Sequence, residues 1–422
     1  MSVEGSNFSD DIVQAELPKH LPTGADVRKK GFLPWHKVRK QVIREKQWNK
    51  EIVFLIDRYL GKHLKKEELI LATDLFGAVV PALGSPVSVV SAPKALNCLV
   101  IPGNDLLDVR SLCNAVAGKN CHIRFLGFNN TGGAGVNDVA ENAVRALPTV
   151  RQNSLVLRDP FQAISSKNSQ AYQHLGRYGP YEVVNLDLCD MLVPGADKDA
   201  TDRYYAAIKE LMTYQFREQT NPWLFFITTH VDHSVADQDG VDNLAGSLRK
   251  NCDDHVAFAT SFETLVPRAA FLGTRKLDLD SLTHDQLVGS FGVVLGKWLI
   301  QLAESNMPQW MVTLQSSYRY TVEPVSGACM LSLSFEFKRR LAPPVDPAGF
   351  GSAQTEVSGT QQKTELDLAI GLITSAGHIK DPDIMMAADP ALSATMKEAS
   401  ADLLAEAGYV REDYLAWVEA DE

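Results

Sequence analysis

The sequence predicts an α/β protein with a doubly wound, mostly parallel sheet, a C-terminal antiparallel hairpin, and helical N- and C-terminal extensions. Three observations indicate this class. Five short apolar runs follow one another at the spacing of βαβ units. Each run ends in Gly, Asn, Asp or His, where a strand would leave an open sheet. A later pair of segments alternates apolar and polar residues, as the two strands of a hairpin do.

The five runs fix the predicted body of the protein. They occupy residues 97–101, 123–128, 154–157, 181–187 and 223–230. Gly103, Asn129, Asp159 and Asp187 follow or end the first four runs, at intervals of 26, 30 and 28 residues. Ligands of open α/β sheets bind outside the carboxyl ends of the strands, so these polar ends predict the position of a functional site.

The rest of the chain is predicted to be helical apart from the hairpin and one linker. Residues 64–80 and 241–305 have helical patterns, and residues 309–322 and 328–338 form the hairpin. Pro, Gly, Ser, Thr and Gln dominate residues 341–363, a composition typical of a flexible linker. The predicted domains are therefore residues 1–93, a basic helical N-terminal extension; 94–340, a Rossmann-like domain; 341–363, the linker; and 364–422, a helical C-terminal extension.

Charge is distributed unevenly along the chain. Residues 19–50 carry a local charge of +8, whereas the remainder carries −19. Two interpretations stay open: the basic side of the first helix is a solvated face, or it contacts nucleic-acid phosphates. The candidate nucleic-acid residues are Arg28, Lys29, Lys30, Trp35, Lys37, Arg39, Lys40 and Arg44. Trp35 would stack on bases, whereas Trp48 lies on the apolar stripe and is predicted to be core.

Composition predicts a cytoplasmic protein without a membrane span. No apolar run approaches the roughly 20 residues that a span needs, and the N-terminus lacks the features of a signal peptide. The six cysteines are scattered without a CxxC pair, which favours reduced structural thiols over a disulfide framework or zinc site. The acidic segment 411–422 is predicted to form a short helix that packs on the body or binds a protein partner.

Five β/α units followed by a terminal hairpin resemble the class I S-adenosylmethionine-dependent methyltransferases over residues 94–340. The resemblance implies S-adenosylmethionine as cofactor and assigns a role to each strand end. Gly103, Asn104 and Asp105 would lie against the methionine part of the cofactor, and Asn129 or Asn130 near the ribose. Asp159 would meet the adenine amino group, with Phe161 stacked on the ring. Asn185, Asp187 and Asp190 would be the catalytic residues, where the acceptor is positioned.

The sequence departs from that family at two motifs. The glycine-rich loop is reduced to one glycine, and Asn replaces the ribose-binding acid, which removes a charge-assisted hydrogen bond. A catalytically inactive Rossmann-like binding module is therefore an alternative. A third hypothesis is a metal-dependent hydrolase that uses His230, Asp232 and His233, because imidazole and carboxylate are common ligands of transition metals.

Overall fold

A computed structural model of the chain describes residues 31–71, 89–119, 121–130, 136–188, 192, 204–232, 238–267, 281–321, 329–340 and 363–421. Most of the predicted linker, residues 341–362, lies outside these residues. The same holds for Arg28, Lys29, Lys30, Asp190 and His233, and for residues 72–80 of the predicted second helix.

The described residues form an eight-stranded sheet. Its strands are β3 (Ala95–Val100), β4 (His122–Phe128), β5 (Leu155–Leu157), β6 (Val183–Asp187), β7 (Trp223–Val231), β8 (Trp310–Thr321), β9 (Cys329–Arg339) and β10 (Ile379–Lys380). They lie in the order β10-β8-β9-β7-β6-β3-β4-β5. Strands β3 to β7 are the five predicted runs and pair in parallel. Strand β9 is antiparallel to both β7 and β8. The predicted fold class is confirmed.

Helices cover both faces of the sheet. One face carries the N-terminal helix, α4 (Leu107–Val116) and α5 (Val136–Arg145). The other face carries α6 (Gln170–Tyr178), α7 (Tyr204–Glu218), α8 (Gln238–Asp254), α9 (Val256–Phe262), α10 (His284–Glu304) and α11 (Glu365–Ala376). Helix α10 is long and apolar enough to span a membrane by length and composition, but 78% of its most apolar window is buried inside the protein.

The N-terminal helix, residues 38–64, alternates between two helical geometries. Its α-helical segments are α1 (Val38–Ile43), α2 (Lys50–Leu55) and α3 (Gly61–Leu64), and π-helical segments Arg44–Asn49 and Ile56–Leu60 join them. Trp48 is core as predicted, with 3% of its surface exposed. The rest of the predicted apolar stripe is buried apart from half-buried Tyr59, and it consists of Val38, Val42, Ile52, Leu55, Ile56 and Tyr59.

The prediction of a second helix over residues 64–80 is wrong for residues 67–71. Residues Glu67–Leu71 form strand β1, which pairs antiparallel with β2 (Val89–Pro93) in a separate two-stranded sheet. The ladder satisfies backbone N–H and C=O groups through a partner about 20 residues away in sequence. The periodicity of a short segment gives no information about a strand that pairs with it from elsewhere in the chain. For that reason the apolar residues at 69–71 are read as part of a helix when the sequence is taken alone.

The two predicted extensions meet in space. Helices α12 (Pro382–Ala388), α13 (Pro390–Glu406) and α14 (Arg411–Asp421) pack on the start of the N-terminal helix. The Phe32 ring stacks on Tyr409 with centroids 5.6 Å apart, and the Tyr414 hydroxyl donates to the His36 carbonyl oxygen at 2.8 Å. Residues 32–42 and 381–421 are called the terminal cap below. Helix α11 and strand β10, in contrast, complete the body itself.

Glu182 carries a buried carboxyl group directly before β6. The backbone N–H of Asn97 donates to its Oε2 atom at 2.8 Å, and His63 Nε2 lies 4.0 Å from its Oε1 atom. Burial raises the pKa of Glu182 to about 7, and the Asn97 hydrogen bond only partly opposes this effect. Burial also lowers the pKa of His63, so the imidazole contributes little compensating charge at neutral pH.

The raised pKa of Glu182 predicts that the protein loses stability as pH rises. The unfolded chain releases this proton near its ordinary pKa of 4.5 and the folded chain only near 7, so the free energy of unfolding falls between these values. Glu182→Gln should remove this dependence and stabilise the protein at pH 8 by on the order of 1 to 3 kcal/mol. Urea unfolding across the pH range checks it, with exposed Glu412→Gln as control. A Glu182→Gln profile parallel to wild type would contradict the assignment.

Candidate ligand site at the carboxyl edge of the sheet

The strand order reverses between β3 and β6, which are neighbours in the sheet. From β3 the chain proceeds to β4 and β5 on one side, whereas from β6 it proceeds to β7 on the other. Such a switch point opens a crevice outside the carboxyl ends of the two strands. Six of the sequence-predicted site residues lie on β3, β4 and β6 or directly after them: Gly103, Asn104, Asp105, Asn129, Asn185 and Asp187.

The loop after β3 holds an unusual backbone conformation. Leu106, 1% exposed, has φ 51° and ψ 34°, the left-handed region that a bulky residue rarely occupies. Such strain persists where the surrounding structure enforces it, which is common near functional sites. Gly103 lies in the same loop, three residues before Leu106. A Cβ atom built on Gly103 would meet nothing within 4 Å. The loop therefore leaves open space at Gly103.

Neighbouring side chains hold this loop in place. The Asn129 amide donates to the Pro102 carbonyl oxygen and to Asn104 Oδ1, both at 3.1 Å. The Tyr409 hydroxyl of the terminal cap donates to Asp105 Oδ2 at 2.8 Å. Asn129 thus supports the loop from β4, and the cap reaches the loop for which the sequence predicts cofactor contact.

The residues after β5 differ in their access to solvent. Asp159 is half-buried, whereas Phe161 is only 3% exposed. The Phe161 ring packs edge-on against Phe128 at 5.7 Å and parallel to Tyr204 at 6.4 Å. The prediction that Phe161 offers a stacking face to adenine is therefore corrected: the 3₁₀ turn Phe161–Ser165 directs this ring into the core.

A buried ion pair lies at the end of β6. Lys40 Nζ donates to Asp187 Oδ1 at 2.7 Å and to the Tyr320 hydroxyl at 3.1 Å, and it lies 4.6 Å from the centre of the Trp48 ring. Burial disfavours the charge on Lys40, but Asp187 and Tyr320 outweigh it, so its pKa lies above the ordinary value. Burial raises the pKa of Asp187, and Lys40 opposes that shift.

Two further basic residues of the N-terminal helix are paired with carboxylates. Arg44 Nε donates to Asp108 Oδ1 at 2.8 Å, and Arg39 Nε lies 3.3 Å from Asp383 Oδ1. Lys40 and Arg44 are 2% and 3% exposed, so a phosphate cannot reach them in this conformation. Their assignment to nucleic-acid contact is corrected for that reason. Lys37 and Arg39 are half-buried, and Trp35 is 48% exposed.

A polar layer separates the N-terminal helix from the hairpin. Gln47 Nε2 donates to the Ser332 carbonyl oxygen at 3.1 Å, and Ser332 Oγ donates to Gln47 Oε1 at 2.7 Å. Glu51 accepts from Ser316 and Ser334. Strand β9 is buried on both faces over most of its length. Ser316, Ser332 and Ser334 face the helix rather than solvent.

The sequence analysis did not predict that the polar side of the N-terminal helix is buried, although the spacing of its polar residues indicates it. Lys40, Arg44, Gln47 and Glu51 follow the spacing i, i+4, i+7 and i+11, which places them on one side of a helix. A polar stripe beside an apolar one predicts a helix that is buried on more than its apolar face. Asp108 binds Arg44 and Tyr320 binds Lys40. Nothing in the sequence around these two partners indicates the contacts.

The proposed metal ligands lie at the end of β7. His230 and Asp232 are half-buried there, and the hypothesis also needs His233, which lies outside the described residues. Within the part of the chain that the structure describes, no group of three or more His, Cys, Asp or Glu residues is arranged to hold a metal ion.

The strand order, with its reversal between β3 and β6, defines a doubly wound α/β protein. The chain belongs to the family described as PP_RS20740-like, whose model matches residues 29–419. That description names no activity. The search of curated proteins finds no match.

Lys40→Met is predicted to destabilise the protein, because it leaves the Asp187 carboxylate without its buried partner. Removing one member of a buried pair costs on the order of 3 kcal/mol. The matched control is Lys119→Met, whose pair with Asp57 is partly exposed and is worth about 1 kcal/mol or less. Urea unfolding measures both. Lys40→Met with Asp187→Asn should recover much of the stability, and equal effects of Lys40→Met and Lys119→Met would contradict the role of the buried pair.

Proposed function

We propose that the protein is an S-adenosylmethionine-dependent methyltransferase-like protein whose ligand site is the crevice between β3 and β6. The single observation that supports the proposal best is the sheet topology. The five parallel strands follow the 3-2-1-4-5 order of the doubly wound dinucleotide-binding sheet. The hairpin follows on the side of β7, with β9 antiparallel to both β7 and β8, and a terminal antiparallel hairpin is what the resemblance to the methyltransferases implies.

The chain's own residues fit such a ligand at several points. The open space at Gly103 suits a ligand that approaches the backbone closely. Exposed Asn130 follows β4, where the ribose would lie, whereas buried Asn129 holds the loop from below. Asp159 follows β5, where it would accept from the adenine amino group. Bound S-adenosylmethionine would supply the methyl group. Asn185 and Asp187 would orient the acceptor, with Asp187 as the candidate base, so catalysis would rest mainly on positioning.

A second candidate function is a catalytically inactive binding module that has the same fold but does not bind the cofactor. Its specific support is the engagement of the crevice by the chain itself: Lys40 pairs with Asp187, and Tyr409 hydrogen-bonds Asp105. A ligand would have to bind beside these contacts or replace them. The single glycine of the loop favours the same candidate.

Titration with S-adenosylhomocysteine, which keeps the adenosine and amino-acid groups, separates the two candidates. Wild-type protein should bind it, and Asp159→Asn should weaken binding by about 1 to 3 kcal/mol, or roughly 5- to 150-fold, because the ligand loses a carboxylate acceptor. Exposed Asp253→Asn is the control. Calorimetry measures each affinity. Absence of wild-type binding at millimolar ligand would reject the methyltransferase proposal and favour the inactive module.

The nucleic-acid proposal now concerns a smaller set of residues. Arg28, Lys29 and Lys30 precede the described residues, while Lys37, Arg39 and exposed Trp35 lie at the start of the N-terminal helix. Positive charge in this segment would neutralise phosphates and release their counterions. We retain it as a proposal for the arm alone, separate from the crevice.

Arg28→Ala with Lys29→Ala and Lys30→Ala should weaken binding to all oligonucleotide sequences about equally. The slope of log affinity against log salt should become shallower by roughly 0.7 to 0.9 for each phosphate that the variant no longer neutralises. The control removes three exposed lysines elsewhere, Lys62, Lys209 and Lys250, and should leave the slope unchanged. Fluorescence anisotropy at several salt concentrations provides the measurement. Equal slopes for the two triple variants would show that the arm is not the binding element.

A further inference from the structure

A group of polar and basic residues lies at the amino edge of the sheet, opposite the crevice. Lys94 and Glu182 directly precede β3 and β6, and Asn221 precedes β7, and these three strands are parallel neighbours. His63, in α3, reaches the same edge, because its Nε2 atom lies 3.5 Å from Asn221 Nδ2 and 4.0 Å from Glu182 Oε1. The length of β6 separates this group from Asp187 by about 15 Å, at roughly 3.3 Å per residue.

Backbone hydrogen bonds hold the basic residues of this edge together. Lys66 N–H donates to the His63 carbonyl oxygen at 3.1 Å, and Lys94 N–H donates to the Lys66 carbonyl oxygen at 2.9 Å. These bonds connect the end of the N-terminal helix to the starts of β1 and β3. Burial lowers the pKa of His63 most, and the charges of Lys94 and Lys66 lower it further. Both ammonium groups therefore act on the imidazole.

The two lysines do not neutralise a carboxylate of the described residues. Neither Lys66 nor Lys94 forms an ion pair with one. Buried Glu182 accepts from Asn97 N–H rather than from an ammonium group. Lys66 is exposed, Lys94 is half-buried, and 23% of the His63 side chain is exposed, so a solute can reach all three. Their charge is therefore available to a ligand.

Charge at this edge selects an anion. Glu67 and Glu68, which follow in sequence, do not outnumber the lysines in and beside the group. These lysines are Lys62, Lys65, Lys66 and Lys94. Glu182 contributes less than a full negative charge at neutral pH, because burial raises its pKa to about 7. Ammonium groups beside an imidazole suit the oxygens of a phosphate group, with which they form charge-assisted hydrogen bonds.

We propose that Lys66, Lys94 and His63 form a binding site for a small molecule that carries a phosphate group. The site lies at the opposite edge of the sheet from the crevice, so it does not depend on the proposed function. A bound anion favours the protonated form of His63, because an opposite charge stabilises the imidazolium. The imidazolium then gives the ligand a third cationic group and gives the Glu182 carboxylate a partner.

Calorimetric titration with sodium pyrophosphate tests the site, because this probe carries phosphate groups without a base or a sugar. Wild-type protein should bind it. Lys66→Gln with Lys94→Gln should weaken binding roughly 30-fold, since each charge in contact with solvent contributes a factor of about five at close range. Lys66→Arg with Lys94→Arg keeps both charges and should retain the affinity. Lys209→Gln with Lys250→Gln removes the same charge from exposed positions elsewhere and should leave the affinity unchanged.

Three outcomes would overturn the site: no pyrophosphate binding at low salt, equal losses in the two glutamine variants, or an arginine variant as weak as Lys66→Gln with Lys94→Gln. Oligonucleotide binding identifies the source of the phosphate. Lys66→Gln with Lys94→Gln should keep the wild-type affinity for oligonucleotides. A loss as large as that of Arg28→Ala with Lys29→Ala and Lys30→Ala would assign the two lysines to nucleic acid and reject the small-molecule ligand.

Discussion

The buried pair between Lys40 and Asp187 is the interaction on which the arrangement of the carboxyl edge depends. Neither charge is stable there alone, because removing an ion from water costs several kcal/mol that only a close partner offsets. The 2.7 Å contact therefore fixes the N-terminal helix at the switch point of the sheet. Arg44 with Asp108 is a second buried pair nearby, and Arg39 with Asp383 is a partly exposed one. Part of the positive charge of residues 19–50 is thus neutralised by ion pairs with acidic residues in the rest of the same chain.

This pairing has consequences for any ligand of the crevice. The N-terminal helix lies along one face of the sheet, and the C-terminal helices pack against its start, so the two terminal extensions meet beside the β3 and β6 ends. Tyr409 extends that assembly to Asp105, in the loop that contains strained Leu106. A conformational change in this loop is therefore expected to alter the packing of the terminal cap. Ligand binding and the packing of the two extensions would then be energetically linked.

Sequence reasoning predicted the body well because its signals are local. Five apolar runs at intervals of 26 to 30 residues specify parallel strands, and the alternation after residue 328 specifies a hairpin strand, whatever their neighbours are. The failures involve distant partners. Lys40 and Asp187 lie 147 residues apart, and β1 requires β2 to form. A lysine that will be buried resembles a solvated one until its carboxylate is known, and Phe161 follows a strand end as a ligand-binding aromatic would.

Hydrogen–deuterium exchange with and without S-adenosylhomocysteine tests the central claim most directly, namely that the switch-point crevice is a ligand site coupled to the terminal cap. The account predicts slower exchange at the backbone amides of residues 101–106 and 157–162, where the ligand would lie. It also predicts altered exchange near Tyr409, which contacts that loop. Unchanged exchange at all three segments under saturating ligand, or protection confined to other parts of the chain, would contradict it.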